Sequence, residues 1–271
     1  MQMTTNDFLR RLRAGEVQYG IFSGLTDTVA AEICAGAGFD WLLFDSEHAP
    51  NDLRTLLHQI QAVAASGTPV LVRPESHDAS SIPRLLDLGV QTLLAPMVET
   101  ADQAASVVAS VRYPPAGVRG LGSSLARASR WNRIDGYVDR ADDEMCVVVQ
   151  IESVAGMEAI ESIAAVDGVD ALFVGPADLG ASMGLAGRAG HPDVVAAVDD
   201  AIRRIVATGT PAGVFATSPE RARRCVELGA TVVAVGVDLS VLAGATSALA
   251  ASFRHDDADD DPDGDAVTRR R

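Results

Sequence analysis

The stretch WLLFDSEHAPNDLRTLLHQIQA, residues 41–62, contains one complete copy of the structural unit that the chain repeats. Its apolar start ends abruptly on Asp45, Glu47 and His48. The apolar positions then change to a spacing of three and four, at Leu53, Leu56, Leu57 and Ile60. A continuous apolar run predicts a strand covered on both faces, and the second spacing predicts an amphipathic helix. The stretch is therefore a strand and a helix, with three titratable groups between them.

The same alternation predicts eight strands along the 271 residues. They are Tyr19–Gly24, Trp41–Asp45, Pro69–Arg73, Thr92–Met97, Cys146–Glu152, Ala171–Gly175, Gly213–Ala216 and Val232–Val237. An additional helix, Thr5–Ala14, precedes the first strand. Eight strand–helix units predict an α/β protein with a single (β/α)8 TIM barrel in residues 1–254. The alternative is a doubly wound sheet, which usually has fewer strands.

Two segments fall outside this pattern. The tail, residues 255–271, is an acidic charge run with Pro and Gly, and we expect it to be disordered and without a catalytic role. The segment Pro114–Asp135 is long and rich in arginine. Long irregular segments in compact domains are often functional, so we expect a functional role for it.

Composition excludes several classes of function. A net charge of −15 argues against a nucleic-acid partner. The N-terminus lacks a signal-peptide core and no apolar window is long enough to span a bilayer, so we expect a cytoplasmic protein with no membrane partner. All 22 basic residues are arginine, which excludes a lysine Schiff base. The three cysteines are far apart, which predicts buried free thiols instead of a zinc cluster.

In a barrel, the polar residues that end the strands meet at one mouth. Glu152 ends the fifth strand and Asp178 follows the sixth. Two carboxylates that face one point repel each other, and a divalent cation removes that repulsion. Oxygen ligands without cysteine favour Mg²⁺ or Mn²⁺ over structural zinc. Alternatively, each carboxylate only caps a nearby helix or turn.

Three more side chains belong to this predicted mouth. His48 is the general acid/base candidate, because histidine is the side chain that ordinarily titrates near neutrality. Its orienting partner is Asp87 or Asp45, although a histidine at a rim also commonly bonds a backbone carbonyl. Arg73 can hold an oxyanion or a carboxylate. Gln150 points to the same side as the residue two positions on, since strand side chains alternate.

Several motifs together resemble the metal-dependent class II pyruvate aldolases typified by 4-hydroxy-2-oxoheptanedioate aldolase, which include the 2-keto-3-deoxy sugar-acid aldolases. The matching pieces are AGAGFDWLLFDSEHAPND, VRP, LLDLGVQTLLAPMV, RYPPAGVRGLGSSLARASRWNRI, MCVVVQIE, GVDALFVGPADL and ELGATVVAVGVD. They extend from about Gly20 to Phe253. Their combination is specific, whereas no single piece would be.

This resemblance implies a set of roles around the substrate. Glu152 and Asp178 would bind the metal, which would be Mg²⁺ or Mn²⁺, with Co²⁺ as a further option. Arg73 and Gln150 would contact the pyruvate moiety, and the backbone at Ala177 and Asp178 would receive its carboxylate.

The resemblance also implies the base and the assembly. His48 would act as the base through a water molecule, oriented by Asp87, while Asp45 and Glu47 would surround the metal-bound waters. The family's barrels form homohexamers, trimers of dimers that exchange their last helix. The segment Asp238–Phe253 is therefore expected to be a domain-swapped helix that packs on a neighbour.

The implied reaction cleaves or forms 4-hydroxy-2-oxo acids, giving pyruvate and an aldehyde such as succinate semialdehyde. It would pass through a metal-stabilised pyruvate enolate and serve aromatic catabolism. Arg119 and Arg127 could attract the far carboxylate of the aldehyde. The alternatives are a 2-keto-3-deoxy sugar-acid aldolase, an oxaloacetate decarboxylase, and a non-enzymatic barrel that binds keto acids.

Overall fold

A computed structural model describes residues 1–254 of the chain, in which eight parallel strands close into a barrel in sequence order. The strands are β1 Gln18–Ser23, β2 Trp41–Asp45, β3 Val70–Arg73, β4 Thr92–Ala95, β5 Cys146–Ile151, β6 Ala171–Val174, β7 Ala212–Phe215 and β8 Ala230–Val237. All eight predicted strands are confirmed, with boundaries that differ by at most two residues. The α/β class and the TIM-barrel fold follow from this closed order.

Helices fill the connections between the strands. They are α1 Asp7–Arg13, α2 Thr28–Ala35, α3 Leu53–Ala62, α4 Ile82–Asp87, α5 Ala101–Val111, α6 Tyr137–Arg140, α7 Val154–Glu158, α8 Ile160–Ala164, α9 Pro176–Ser182, α10 Pro192–Ala207, α11 Pro219–Glu227 and α12 Asp238–Ser252. Short 3₁₀ turns occupy Val63–Ala65 and Ala141–Glu144. None of the helices within residues 1–254 has the length and apolar character needed to cross a membrane.

The period-two alternation of the strands separates two cores. On β2, Leu42 and Phe44 face outward and pack in the large cluster beneath the helices. Trp41 and Leu43 face inward and belong to the smaller cluster inside the barrel. Asp45 is the next inward position, so the interior changes from apolar to charged at the C-terminal end of the strand. The sheet geometry itself therefore places charged groups at the mouth.

The predicted N-terminal helix is confirmed as α1, and it closes the base of the barrel. Phe8, Leu9 and Leu12 pack in the interior cluster, and the Phe8 ring meets the Trp41 ring edge-on at 6.4 Å. Asn6 caps the helix by accepting a hydrogen bond from the Leu9 N–H at 3.1 Å. The amide of Asn6 also donates to Thr92 Oγ1 at 3.0 Å, which joins α1 to the start of β4. The barrel interior is thus open at the mouth and filled at the base.

The last helix leaves the barrel instead of covering it. Asp238 is buried at its start, whereas Val241, Leu242 and Leu249 are exposed along its length. An exposed apolar helix is consistent with packing on a second copy, but the domain-swapped arrangement stays a prediction. The predicted disordered tail, residues 255–271, lies outside the described residues.

The packing of the barrel interior predicts that a side chain larger than that of Gly20 is not tolerated on β1. Gly20 on β1 pairs in register with Trp41, and a Cβ atom at Gly20 would collide with the indole ring. We expect Gly20→Ala to lower the free energy of unfolding by roughly 1–3 kcal/mol, because a close-packed interior has no space for the added methyl group. Thermal unfolding followed by circular dichroism measures the change.

Gly120 provides the matched control, because a Cβ atom there has no neighbour within 4 Å. Gly120→Ala should change stability by no more than about 0.5 kcal/mol. Equal melting temperatures for Gly20→Ala and the unaltered protein would contradict this account of the interior.

Candidate active site

The mouth of the barrel is organised around a buried ion pair between the ends of β2 and β3. Arg73 donates from Nε to Asp45 Oδ1 at 2.8 Å and from Nη2 to Asp45 Oδ2 at 2.7 Å. Burial alone would raise the pKa of Asp45, but the hydrogen bonds and charge of Arg73 outweigh it and the pKa is lowered. The guanidinium also lies over the Phe22 ring, 5.2 Å from its centroid. Arg73 is therefore fixed in position before any substrate arrives.

Glu47 and His48 continue the same edge. Arg73 Nη1 lies 2.9 Å from Glu47 Oε2, but its N–H is not directed at that oxygen, which is buried and lacks a hydrogen-bond partner within residues 1–254. Burial, opposed by Arg73 and His48, raises the pKa of Glu47, and the charges of Asp45 and Asp178 add to the increase. His48 Nε2 is 3.7 Å from Glu47 Oε2, and the imidazole side chain is mostly exposed to the mouth.

Glu152 follows β5 and is almost completely buried. Its Oε1 accepts the Met97 N–H at 2.8 Å, and its Oε2 accepts the side-chain amide of Gln150. Burial is the main cause that raises the Glu152 pKa to about 7, and the charges of Glu47 and Asp178 raise it further. Gly175 lies opposite, where a Cβ atom would come within 2.6 Å of Glu152 Oε2. The glycine therefore leaves space in front of the carboxylate.

Asp178 and Ala177 come from the first turn of α9, directly after β6. Pro176 occupies the first helical position, where its missing N–H costs nothing. The N–H groups of the next two residues have no partners within the helix, since the first turn of any helix leaves its donors free. Ala177 and Asp178 both line the mouth cavity. This arrangement offers both a cation ligand and donors for an anion.

The cavity at the mouth has a volume of about 640 Å³. The predicted residues among its lining are Asp45, His48, Arg73, Gln150, Ala177 and Asp178. Phe22, Phe173 and Phe215 contribute an aromatic wall. The volume and the mixture of apolar wall and polar groups suit a small organic acid with room for a second reactant.

The residues at this mouth fit a hard divalent cation held by two carboxylates. No group of three or more His, Cys, Asp or Glu side chains with metal-binding geometry occurs within residues 1–254, so a cation would share its ligands between protein and water or substrate. The buried Oε2 of Glu47 and Oε1 of Gln150 lack hydrogen-bond partners among the same residues. Oxygen donors of this kind suit Mg²⁺ or Mn²⁺.

Asp87 is the predicted residue that the chain does not bring to the mouth. It ends α4, which runs from the mouth towards the base, and its Oδ1 lies 3.5 Å from Arg119 Nη2. His48 stands at the other end of the barrel, at the end of β2. Within one chain the predicted contact between His48 and Asp87 is not made.

The long arginine-rich segment also lies at the base. It connects α5 to β5, and connections from helix to strand run at the N-terminal end of a TIM barrel. Arg119 is fully buried with its guanidinium 4.5 Å from the centre of the Tyr113 ring. Arg127 donates to the Leu88 carbonyl at 2.7 Å and lines a separate cavity of about 240 Å³. Neither arginine reaches the mouth of its own chain, so their predicted role there is wrong within one chain.

Sequence reasoning missed two residues at the mouth. Asp238 directly follows β8 as the first residue of α12, and it accepts hydrogen bonds from Ser23 Oγ at 2.7 Å and from the Gly24 N–H at 2.8 Å, which fixes the end of β1. Its position after a strand was the signal that could have identified it. Arg221 lines the cavity from the first turn of α11. No strand end marks it, because it belongs to a helix that starts beside the mouth.

Comparison with known proteins gives one consistent result. The sequence model described as HpcH/HpaI aldolase/citrate lyase matches residues 18–245. A hydroxypyruvate/pyruvate aldolase of Pseudomonas aeruginosa is 53% identical over 254 residues, covering 94% of this chain and 95% of the relative. A 4-hydroxy-2-oxo-heptane-1,7-dioate aldolase of Salmonella dublin is 53% identical over 248 residues, covering 92% and 94%. The crystal structure of an HpcH/HpaI aldolase/citrate lyase family protein from Burkholderia cenocepacia J2315 has a TM-score of 0.88 and 39% identity, covering 92% and 100%.

The ion pair at the mouth makes a prediction about stability. Asp45→Ala removes the main partner of the buried Arg73 charge, and we expect a loss of about 3–5 kcal/mol in the free energy of unfolding. Arg73→Met in the same chain should recover most of that loss, because it removes the charge that lost its partner. Urea unfolding of the two variants and the unaltered protein measures both effects. A double variant no more stable than Asp45→Ala alone would show that an unpaired buried charge is not the cause.

Proposed function

The chain belongs to the HpcH/HpaI aldolase/citrate lyase family, and we propose that it is a metal-dependent aldolase acting on 4-hydroxy-2-oxo acids. The resemblance drawn from the motifs is confirmed by the family match and by two relatives at 53% identity. The chain is therefore a pyruvate aldolase, a lyase that breaks and forms carbon–carbon bonds. The metal, the site residues and the physiological aldehyde belong to the proposal.

The metal proposal rests on the burial and the raised pKa of the Glu152 carboxylate. Its carboxylate is buried and has a pKa raised to about 7, first by burial and then by the neighbouring charges of Glu47 and Asp178. The charges of Glu47 and Asp178 raise the pKa of Glu152, so this group of carboxylates needs a counter-charge at physiological pH, while Arg73 is already paired with Asp45 and contacts Glu47. Glu152 and Asp178 would hold the cation. A bound divalent cation supplies Lewis-acid stabilisation of negative charge on a keto acid, worth several kcal/mol.

The residues around this point suit the pyruvate half of the substrate. Arg73 is held rigidly and can donate to the oxygen on which enolate charge develops. Gln150 lines the same cavity as Arg73 and is buried like it. The free N–H groups of Ala177 and Asp178 at the start of α9 are suited to the substrate carboxylate. Donors fixed before the reaction need no reorganisation when charge develops.

His48 is the proposed base. It lines the cavity and is exposed to it, so it can take the 4-hydroxyl proton directly or through a water molecule. Loss of that proton breaks the C3–C4 bond, the aldehyde leaves, and the enolate of pyruvate remains. Asp87 cannot orient this ring within one chain, so its proposed role requires a contact between copies, as in the predicted homohexamer.

The two relatives are named for different compounds. The relative from Pseudomonas aeruginosa is named for hydroxypyruvate as well as pyruvate, while the relative from Salmonella dublin is named for a dicarboxylic substrate. Both keto acids present the same carboxylate and keto oxygen. We therefore include hydroxypyruvate as a second donor of the same site, to be tested beside pyruvate.

Deuterium exchange tests the proposal without a choice of aldehyde. The protein is incubated with pyruvate in D₂O with Mg²⁺, and deuteration of the methyl group is followed by NMR. We expect exchange that stops when EDTA is added and that exceeds the rate with Mg²⁺ alone. Exchange equal to that control would contradict the aldolase proposal and favour a barrel that binds keto acids without turnover.

Single substitutions then test the individual roles. Glu152→Gln and Asp178→Asn should each lower Mn²⁺ binding, measured by electron paramagnetic resonance, and lower exchange by at least about 100-fold. His48→Ala should retain Mn²⁺ binding and lower aldol cleavage by about 100-fold or more. Loss of Mn²⁺ binding in His48→Ala would make the histidine a ligand and contradict its proposed role.

Proton release gives a second readout that does not depend on activity. Burial raises the pKa of Glu152 to about 7, so part of the molecules carry a proton on this carboxylate at pH 7. A cation binds the deprotonated carboxylate, so its binding should release a fraction of a proton at pH 7 and a smaller fraction at pH 8. Calorimetric titration of Mn²⁺ in buffers of different ionisation enthalpy measures this number. A binding enthalpy independent of the buffer at pH 7 would contradict Glu152 as a ligand.

A further inference from the structure

Arg221 is a second arginine in the mouth cavity, and the metal and pyruvate roles do not use it. It lies in the first turn of α11, where its backbone N–H donates to the capping hydroxyl of Ser218 at 3.1 Å. This helix starts after β7, so its first turn stands at the mouth. Arg73 and Arg221 are thus two separate cations that line one cavity.

One terminal nitrogen of the Arg221 guanidinium is hydrogen-bonded, and the other has no acceptor among the described residues. Nη1 donates to Asp199 Oδ1, which comes from the neighbouring helix α10. Nη2 is buried and has no hydrogen-bond partner within residues 1–254. A buried donor without an acceptor is costly, and a bound acceptor removes that cost. The side chain is therefore oriented by the protein with a donor still available.

The charge of Arg221 is only partly balanced. Asp199 is shared, because Arg224 Nε lies 3.5 Å and Arg203 Nη2 lies 3.8 Å from its Oδ2. One carboxylate thus faces three guanidinium groups, although Arg224 also has Glu227 at 3.6 Å. The remaining positive charge at the cavity wall favours an anion.

The cavity wall near Arg221 is apolar. Val195 and Val198 of α10 and Phe215 at the end of β7 line it. Such a wall suits a short methylene chain, while the strand ends across the cavity suit the keto acid. An aldehyde with a carboxylate at its far end would match both the apolar wall and the free donor.

We propose that Arg221 is the specificity-determining residue of the aldehyde subsite, where it binds the distal carboxylate of an anionic aldehyde by a charge-assisted hydrogen bond. This inference rests on the proposed aldolase function. Arg221 is thus assigned the role that the sequence suggested for Arg119 and Arg127, which is to attract the far carboxylate of the aldehyde. Arg221 binds and selects the aldehyde and takes no part in proton transfer.

The test compares two aldehydes of equal chain length. Aldol addition of pyruvate is measured with succinate semialdehyde, which carries a carboxylate, and with butanal, which does not. In Arg221→Met the ratio of kcat/KM for the acidic over the neutral aldehyde should fall by about 10- to 100-fold, because one charge-assisted hydrogen bond is lost. The change should appear mainly as a higher KM for succinate semialdehyde.

Arg224→Met is the matched control. Arg224 contacts the same Asp199 but does not line the cavity. Its loss therefore disturbs the contact between α10 and α11 without removing the Nη2 donor of Arg221. The ratio should stay within about twofold of that of the unaltered protein. Arg221→Lys keeps the charge but loses the second nitrogen, and should give an intermediate ratio.

Two outcomes distinguish the inference from the function it rests on. Pyruvate deuteration by the unaltered protein, with an aldehyde ratio unchanged in both Arg221→Met and Arg221→Lys, would overturn the inference and leave the aldolase function in place. An equal fall of the aldehyde ratio in Arg224→Met would also overturn the inference, because the fall would then come from the disturbed contact between α10 and α11. Absence of deuteration in the unaltered protein would overturn both.

Discussion

The closure of eight parallel strands is the constraint on which the rest of this molecule depends. Alternate side chains of every strand must enter one narrow interior, and the layer nearest the mouth lines the open cavity. Trp41 and Leu43 fill the lower layers with apolar volume, and Asp45 follows them two residues later. The bidentate pair between Asp45 and Arg73 makes a charged layer tolerable there, since each buried charge has a partner. The site thus continues the packed interior of the barrel, with charged side chains in place of apolar ones.

The strand pattern and the fold could be predicted from sequence because both depend on local periodicity. The strand-end rule also found Arg73, Gln150 and Glu152, since a residue that ends a barrel strand faces the mouth. It could not place Asp87, which ends a helix, because helix ends lie at the base. Arg119 and Arg127 lie away from the mouth of their own chain for the same reason, since their segment leads from a helix to a strand. Direction along the chain, and not residue chemistry, separates the predicted residues that lie at the mouth from those that lie at the base.

Arg221 shows a second limit of reading strand ends. A helix that starts at the mouth presents its first turn to the cavity, and that turn can carry a side chain as close to a ligand as any strand does. Its partner Asp199 comes from another helix, 22 residues earlier in the chain. Such a pairing depends on how two helices pack, and one sequence carries no periodic mark of it. Specificity can therefore change in this fold by substitutions on helices while the strand ends stay the same.

The plug formed by α1 has a consequence for the order of events in turnover. Phe8, Leu9 and Leu12 fill the base, so every molecule must enter and leave through the mouth. The proposed pyruvate site lies at the inner layer, and the proposed aldehyde site lies along the outer wall. A keto acid at that inner layer would have to bind before the aldehyde and depart after it. A barrel closed at one end converts the depth of each subsite into a kinetic sequence.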